Sequence, residues 1–174
     1  VGNDIWIGTN TGCSKLTNNT FTNFTSANGG VINDTVLSFA KTVNANKIWI
    51  GTQRGLTKLE NGISTHYNYQ NSALPNSSIQ TLLYYHNKLW IGSTGSGLYT
   101  YDGNTFAKFI NTANSIYTVY ANVRFIEPYQ NSILVPSPNG ILEIYQDQVI
   151  NSYFGEIGTN FQTKLKCDYN DNTI

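Results

Sequence analysis

The chain has 174 residues, a formal net charge of +0 and 11% charged side chains, well under the usual share of about a quarter. That length suffices for a buried core, while balanced charge excludes the clustered Lys and Arg of a nucleic-acid surface. No run of about 18 apolar residues is present, so no membrane-spanning helix and no direct membrane contact is expected.

In chain order, the first distinctive word is Ile5-Trp6-Ile7-Gly8-Thr9. A near-continuous apolar run of this kind fits a strand covered on both faces. Gly12-Cys13 follows, and then Leu16 and Phe24, eight residues apart. Val36-Leu37-Ser38-Phe39 reads as a short strand bounded by turn formers. The Trp word then returns unchanged as Ile48-Trp49-Ile50-Gly51-Thr52. Gly55-Leu56-Thr57-Lys58-Leu59 alternates with period two, and Asn61-Gly62 is a hairpin signal because both central turn residues need positive φ. Tyr67 lies eight residues after Leu59.

The third round opens with Ile79-Gln80-Thr81-Leu82 and brings Leu89-Trp90-Ile91-Gly92-Ser93. Gly97-Leu98-Tyr99-Thr100-Tyr101 and Thr105-Phe106-Ala107-Lys108-Phe109 flank Asp102-Gly103, a second hairpin signal. The fourth round is degenerate. Ile133-Leu134-Val135-Pro136-Ser137 replaces Trp by Leu and Gly by Pro, and Gly140-Ile141, Tyr145 and Tyr153 follow. A Pro there removes a backbone donor, so that strand end is expected to be locally unpaired or at an edge.

The central positions 6, 49, 90 and 134 are spaced by 43, 41 and 44 residues. Units of about 1–35, 36–78, 79–122 and 123–174 result, with no helical period of useful length. Four antiparallel strands per unit of 41–44 residues is the arithmetic of a β-propeller blade. The expectation is an all-β chain, a single propeller region over 1–174. In such a chain Trp6, Trp49 and Trp90 fill the gaps between blades. Gly8, Gly51 and Gly92 leave room for a close neighbour or a bend. The following Thr or Ser hydroxyl bonds nearby backbone at the strand end.

Ile-Trp-Ile-Gly-Thr, then Gly-Leu, then Tyr101-Asp102-Gly103 and Phe106, resembles the two-component regulator propeller repeat. The resemblance covers essentially the whole chain and is best in the second and third units. It implies a large periplasmic propeller, often seven-bladed and often paired in series, forming the sensory part of a membrane histidine kinase. Many such sensors respond to oligosaccharides. It also implies relatives in bacterial surface and secretion assemblies, and one enzymatic relative, streptogramin lyase. The spacing puts a fifth word 41 residues past Leu134, just after Ile174. The chain therefore reads as part of a larger propeller of seven or eight blades; the alternatives are a four-bladed ring closed by its own first strand and one half of a ring shared by two copies. The remaining blades and downstream domains would be its partners, with self-association through exposed inter-blade faces.

The candidates for chemistry are few. His66 and His86 stand in no ligand-spaced motif: His66 reads as an outer-strand residue and His86 as the residue ahead of an Asn87-Lys88 turn. Asp168-Tyr169-Asn170-Asp171-Asn172 starts like a calcium loop but lacks the Gly and distal Glu, and reads as an Asx-rich turn. Cys13 and Cys167 read as small buried thiols, with a bridge between them as the alternative. No nucleophile motif, phosphate loop, metal set or cofactor signature appears, so no catalytic residue is assigned. Aromatics make up 13% of the chain and sit among amides and hydroxyls, a composition suited to sugar recognition as well as to inter-blade packing. The ligand-contact candidates are Arg54, Tyr117, Tyr120, Arg124 and Tyr129. Arg54 lies in a loop between strands, and Tyr117 to Arg124 lie in the longest irregular stretch.

The reading is a non-enzymatic, exported recognition or sensory propeller, periplasmic or extracellular, with oligosaccharide as a candidate ligand. The alternatives are an interaction propeller of a surface or secretion assembly, and a propeller lyase or glycosidase.

Overall fold

The structure is a computed structural model that describes residues 4–42, 46–110, 119, 121–137 and 140–154. Within them the chain forms four antiparallel sheets, one three-stranded and three four-stranded, each built from consecutive strands. The first holds β1 (Ile5–Thr9), β2 (Gly12–Thr17) and β3 (Thr20–Phe24). The second holds β4 (Val36–Lys41), β5 (Lys47–Thr52), β6 (Gly55–Glu60) and β7 (Ile63–Tyr67). The third holds β8 (Ile79–Tyr85), β9 (Lys88–Ser93), β10 (Gly97–Tyr101) and β11 (Phe106–Lys108). The fourth holds β12 (Glu127–Tyr129), β13 (Ser132–Ser137), β14 (Gly140–Tyr145) and β15 (Gln148–Phe154).

The sheets pack face to face, and the core lies between them as three layers. Val36, Ile48 and Ile50 of the second sheet meet Cys13, Trp6 and Phe24 of the first. Trp49 and Leu56 meet Ile79, Leu82, Leu89 and Ile91 of the third. Trp90 and Leu98 meet Ile133, Val135, Leu142 and Ile144 of the fourth. Period-two alternation explains the Trp word: the central residue faces the next blade while the flanking apolar pair faces the previous one. Coverage on both faces holds for β5 and β9, where Trp49 and Trp90 are 1% and 5% exposed. It does not hold for β1. Ile5 and Ile7 are 55% and 43% exposed, because no described blade packs on that side, and Trp6 is only half-buried.

The glycine after each Trp is a close-approach position. A Cβ built on Gly8 would lie 2.9 Å from Val36 of the next blade. On Gly51 it would collide with Ser38 and lie 2.9 Å from Ile79, and on Gly92 it would lie 2.7 Å from the Val123 carbonyl. The hydroxyl behind that glycine closes the following turn. Thr9, Thr52 and Ser93 donate to the carbonyls of Gly12, Gly55 and Gly97 at 2.9, 2.8 and 2.8 Å. The third landmark is aromatic packing inside the blade: Phe24, Tyr67 and Phe109 rest on Trp6, Trp49 and Trp90 at 5.2, 5.9 and 5.9 Å.

Two turns depart from expectation. Asn61-Gly62 is a two-residue hairpin with φ of 52° and 82°. Asp102-Gly103 is not. Tyr101 pairs with Phe106, leaving a four-residue loop in which the Asp102 carboxylate accepts from the backbone N–H groups of Asn104 and Thr105, both at 2.8 Å. The Asx turn holds the chain without a positive φ at Asp102. Its carboxyl is held below the ordinary range by those two backbone N–H groups, Thr105 first. His86 is itself a turn residue with Asn87, rather than the residue ahead of the turn. Pro136 is not unpaired as expected: it lies opposite Ile141 in the β13–β14 ladder, and only its β12 side, where the short ladder ends opposite Leu134, is without a partner strand among the described residues.

Candidate functional site

Strands alternate in direction, so the β1–β2, β5–β6, β9–β10 and β13–β14 turns share one rim. The β2–β3 turn and, in the four-stranded blades, the turns after the first and third strands share the other. The second rim carries a mixed polar and aromatic pocket of about 180 Å³ between the third and fourth blades.

Local backbone chemistry builds its mouth. The β8–β9 turn is His86-Asn87, with φ of 48° and 60°. The β12–β13 turn starts with Gln130 at 49°, and the β14–β15 turn is Gln146-Asp147 at 48° and 62°. The left-handed region is cheap for Gly and Asn and uncommon for Gln. The corresponding two-residue turns of the first two blades, β2–β3 and β6–β7, hold Asn18-Asn19 and Asn61-Gly62. This rim keeps longer polar side chains at strained positions.

The walls come from two blades. Tyr85, His86, Lys88 and Trp90 line the side of the third blade. Ile133, Ile144 and Tyr145 line the other, with Asn131, Gln146 and Asp147 at the turns. Tyr85 and His86 stack at 4.2 Å with an interplanar angle of 15°. Lys88 stands 5.6 Å from the Trp90 ring centroid, a cation–π contact. Two links cross the pocket between blades. The Lys88 ammonium pairs with the Asp147 carboxylate, and the Tyr85 hydroxyl donates to the Gln130 carbonyl at 2.7 Å. The Gln146 amide donates to the Tyr145 hydroxyl at 3.2 Å.

On the opposite face of the fourth blade, Glu143 is 7% exposed. It accepts from Ser132 at 2.6 Å, Tyr153 at 2.7 Å and Asn151 at 3.1 Å. Burial pushes the Glu143 carboxyl up, but the three hydrogen bonds outweigh it and leave the group below its ordinary value. The Tyr153 hydroxyl, donating to Glu143, is pushed up to about 12. Cys13 is buried and free, and desolvation raises its thiol to about 11, as for an inert core thiol. His66 sits on outer strand β7, its Nδ1 3.0 Å from the Thr57 hydroxyl. Among the described residues no group of three His, Cys, Asp or Glu side chains is placed to hold a metal ion, and no helix is long and apolar enough to cross a membrane.

The five ligand-contact candidates are not brought together. Arg54 is exposed in the β5–β6 turn, and Arg124 is exposed in the segment entering β12, both toward the first rim. Tyr129 ends β12 at the pocket rim, half-buried, with its carbonyl 2.8 Å from the Ser132 hydroxyl. Tyr117 and Tyr120 lie outside the described residues, as do Cys167 and residues 168–172. The pocket itself joins turns about 86, 130 and 146, distant in sequence, so no local motif marks it. The one available signal was His or Gln at hairpin positions where other units carry Asn or Gly.

No family model matches the chain, and no curated protein matches it. Solved structures do. The chain is similar to the extracellular domain of BT3049, a proposed hybrid two component system of B. thetaiotaomicron, at 24% identity and TM-score 0.65, over 84% of this chain and 21% of that one. It is similar to the WD40 β-propeller domain of Doa1 at 10% identity and TM-score 0.61, over 90% of this chain and 52% of that one. The fold is a β-propeller. The propeller is similar also to PorZ, a surface component of the type-IX secretion system of Porphyromonas gingivalis, at 14% identity and TM-score 0.56, over 84% of this chain and 19% of that one. It thus spans about a fifth of the BT3049 domain.

Proposed function

We propose that this chain is a section of the extracytoplasmic sensor propeller of a two-component signalling protein, recognising an oligosaccharide rather than turning over a substrate. The observation that carries the reading is the repeat itself. Its four units, three with the Trp word and one with Leu134 in its place, stack as blades that resemble the extracellular BT3049 domain more than the WD40 propeller in both identity and TM-score. In this reading the remaining blades, a membrane segment and a kinase module lie elsewhere in the same protein. The likeness to PorZ supports a second reading, a surface-assembly propeller. The test is isothermal titration of the chain with oligosaccharide pools from several polysaccharides. Saturable binding of one pool supports the sensor reading. Binding of none, with saturable binding of a surface-assembly protein, favours the second.

A further inference from the structure

The rim pocket between the third and fourth blades has three properties that together specify a ligand. Its ionic groups cancel: Lys88 and Asp147 pair across the mouth, so no net charge is left to hold a phosphate or carboxylate. Its wall is aromatic, lined by the Tyr85–His86 stack, by Trp90 and by Tyr145. Its rim offers the amides of Asn131 and Gln146, groups that donate and accept at once. Neutral, aromatic-walled and amide-rimmed space suits a neutral polyhydroxylated ring, whose C–H faces rest on aromatic rings while its hydroxyls bond amides. The size is compatible: the pocket holds about 180 Å³ and is half open to solvent, so a ring can seat in it with the rest of a chain leading outward.

A second observation is independent of the lining. Gln146 keeps φ at 48° and Gln130 at 49°. Gly or Asn would serve these turns with less strain, and strained backbone concentrates where a side chain is used.

We infer that this pocket binds a single neutral sugar residue, the end of a glycan chain, between the third and fourth blades. Gln146 and Asn131 bond its hydroxyls and the Tyr145 side of the wall supports the ring. The site rests on the oligosaccharide reading above and deepens it by naming where one residue docks.

The test is Gln146→Gly. Glycine accepts the left-handed turn without penalty, so the variant melts at the same temperature as the parent or higher while the amide is gone. Neutral hexoses, pentoses and their disaccharides are titrated by calorimetry, with glucuronate as the charged comparison. The expected result is saturable binding of a neutral sugar, weakened about three- to tenfold in Gln146→Gly, as loss of one hydrogen bond implies, and unchanged in Lys108→Ala, an exposed strand position on β11. Binding that Gln146→Gly leaves intact overturns the pocket and spares the oligosaccharide reading. Glucuronate binding more tightly than neutral sugars also overturns the pocket. Failure of every sugar to saturate removes both.

Discussion

Gly92→Ala tests the packing between blades most directly. The added methyl carbon would lie 2.5 Å from Thr81 Cγ2 and 2.7 Å from both Val123 Cγ1 and the Val123 carbonyl oxygen. Two of these are side-chain atoms, but the third is backbone of the segment entering the fourth blade, and it cannot rotate away. Restoring an ordinary contact near 3.4 Å needs a displacement of about 0.7 Å between the third and fourth blades. A radial gap of that order forfeits about a quarter to a half of each dispersion well across the layer, where Trp90 meets Ile133, Val135 and Ile144. Overpacking of this kind costs about 1–3 kcal/mol. Replacing a strand glycine by alanine returns about 0.5–1 kcal/mol of backbone entropy. The net loss is then roughly 0.5–2 kcal/mol, a fall in Tm of about 1–8 °C for a domain of this size. Calorimetric or circular-dichroism melts of the parent, Gly92→Ala and Gly8→Ala decide it. Gly8 meets only side chains, at 2.9 Å or more, on a blade that is half open, so its substitution is the milder one. A neutral or stabilised Gly92→Ala, or equal losses at both sites, would refute the close-approach argument.

Thr52→Val keeps the shape but deletes the fully buried bond to the Gly55 carbonyl, 2.8 Å long; urea unfolding should show a loss of about 1–3 kcal/mol, and Thr9→Val, on the more exposed first blade, a smaller one. The Glu143 carboxyl is depressed in the fold, so its contribution is present above the unfolded value near 4.5 and disappears as pH falls through the folded value. Melts as a function of pH should therefore steepen below about 4.5 in the parent and flatten in Glu143→Gln. The Tyr153 hydroxyl is raised from 10.0 to about 12, so its contribution is complete below pH 10 and lost between 10 and 12, a limb that Tyr153→Phe should reduce but not remove, since Tyr99 and Tyr101 are raised too. The bare face of β1 carries Ile5 and Ile7 at 55% and 43% exposure, an apolar patch of the kind that drives association. Ile7→Lys should shift the mass measured by light scattering toward the monomer, and an unchanged oligomer would remove that face from the interface.

The amino-acid order alone determined the class of fold and its period. A Trp between two branched apolar residues, a glycine, a hydroxyl and a trailing positive-φ glycine recur because each blade must solve one packing problem. Each device is local, and each appears where its residues predicted: the Thr52 and Ser93 bonds, the close approaches at Gly51 and Gly92, the turn at Asn61-Gly62. What local chemistry left open, tertiary structure decided. Asp102-Gly103 carries the same hairpin signal as Asn61-Gly62, yet its loop is longer because the Asp102 carboxylate satisfies two backbone N–H groups. The three copies of the Trp strand have nearly one sequence and different burial, since burial depends on whether a neighbouring blade covers the face. The rim pocket is the extreme case. Tyr85 and Lys88 come from one blade, Gln130 and Asp147 from the next, and only the stacking of two sheets brings an ammonium to a carboxylate and a hydroxyl to a carbonyl. A repeat encodes its own interior well because every unit buries the same face; what it presents at a rim depends on which two units meet there.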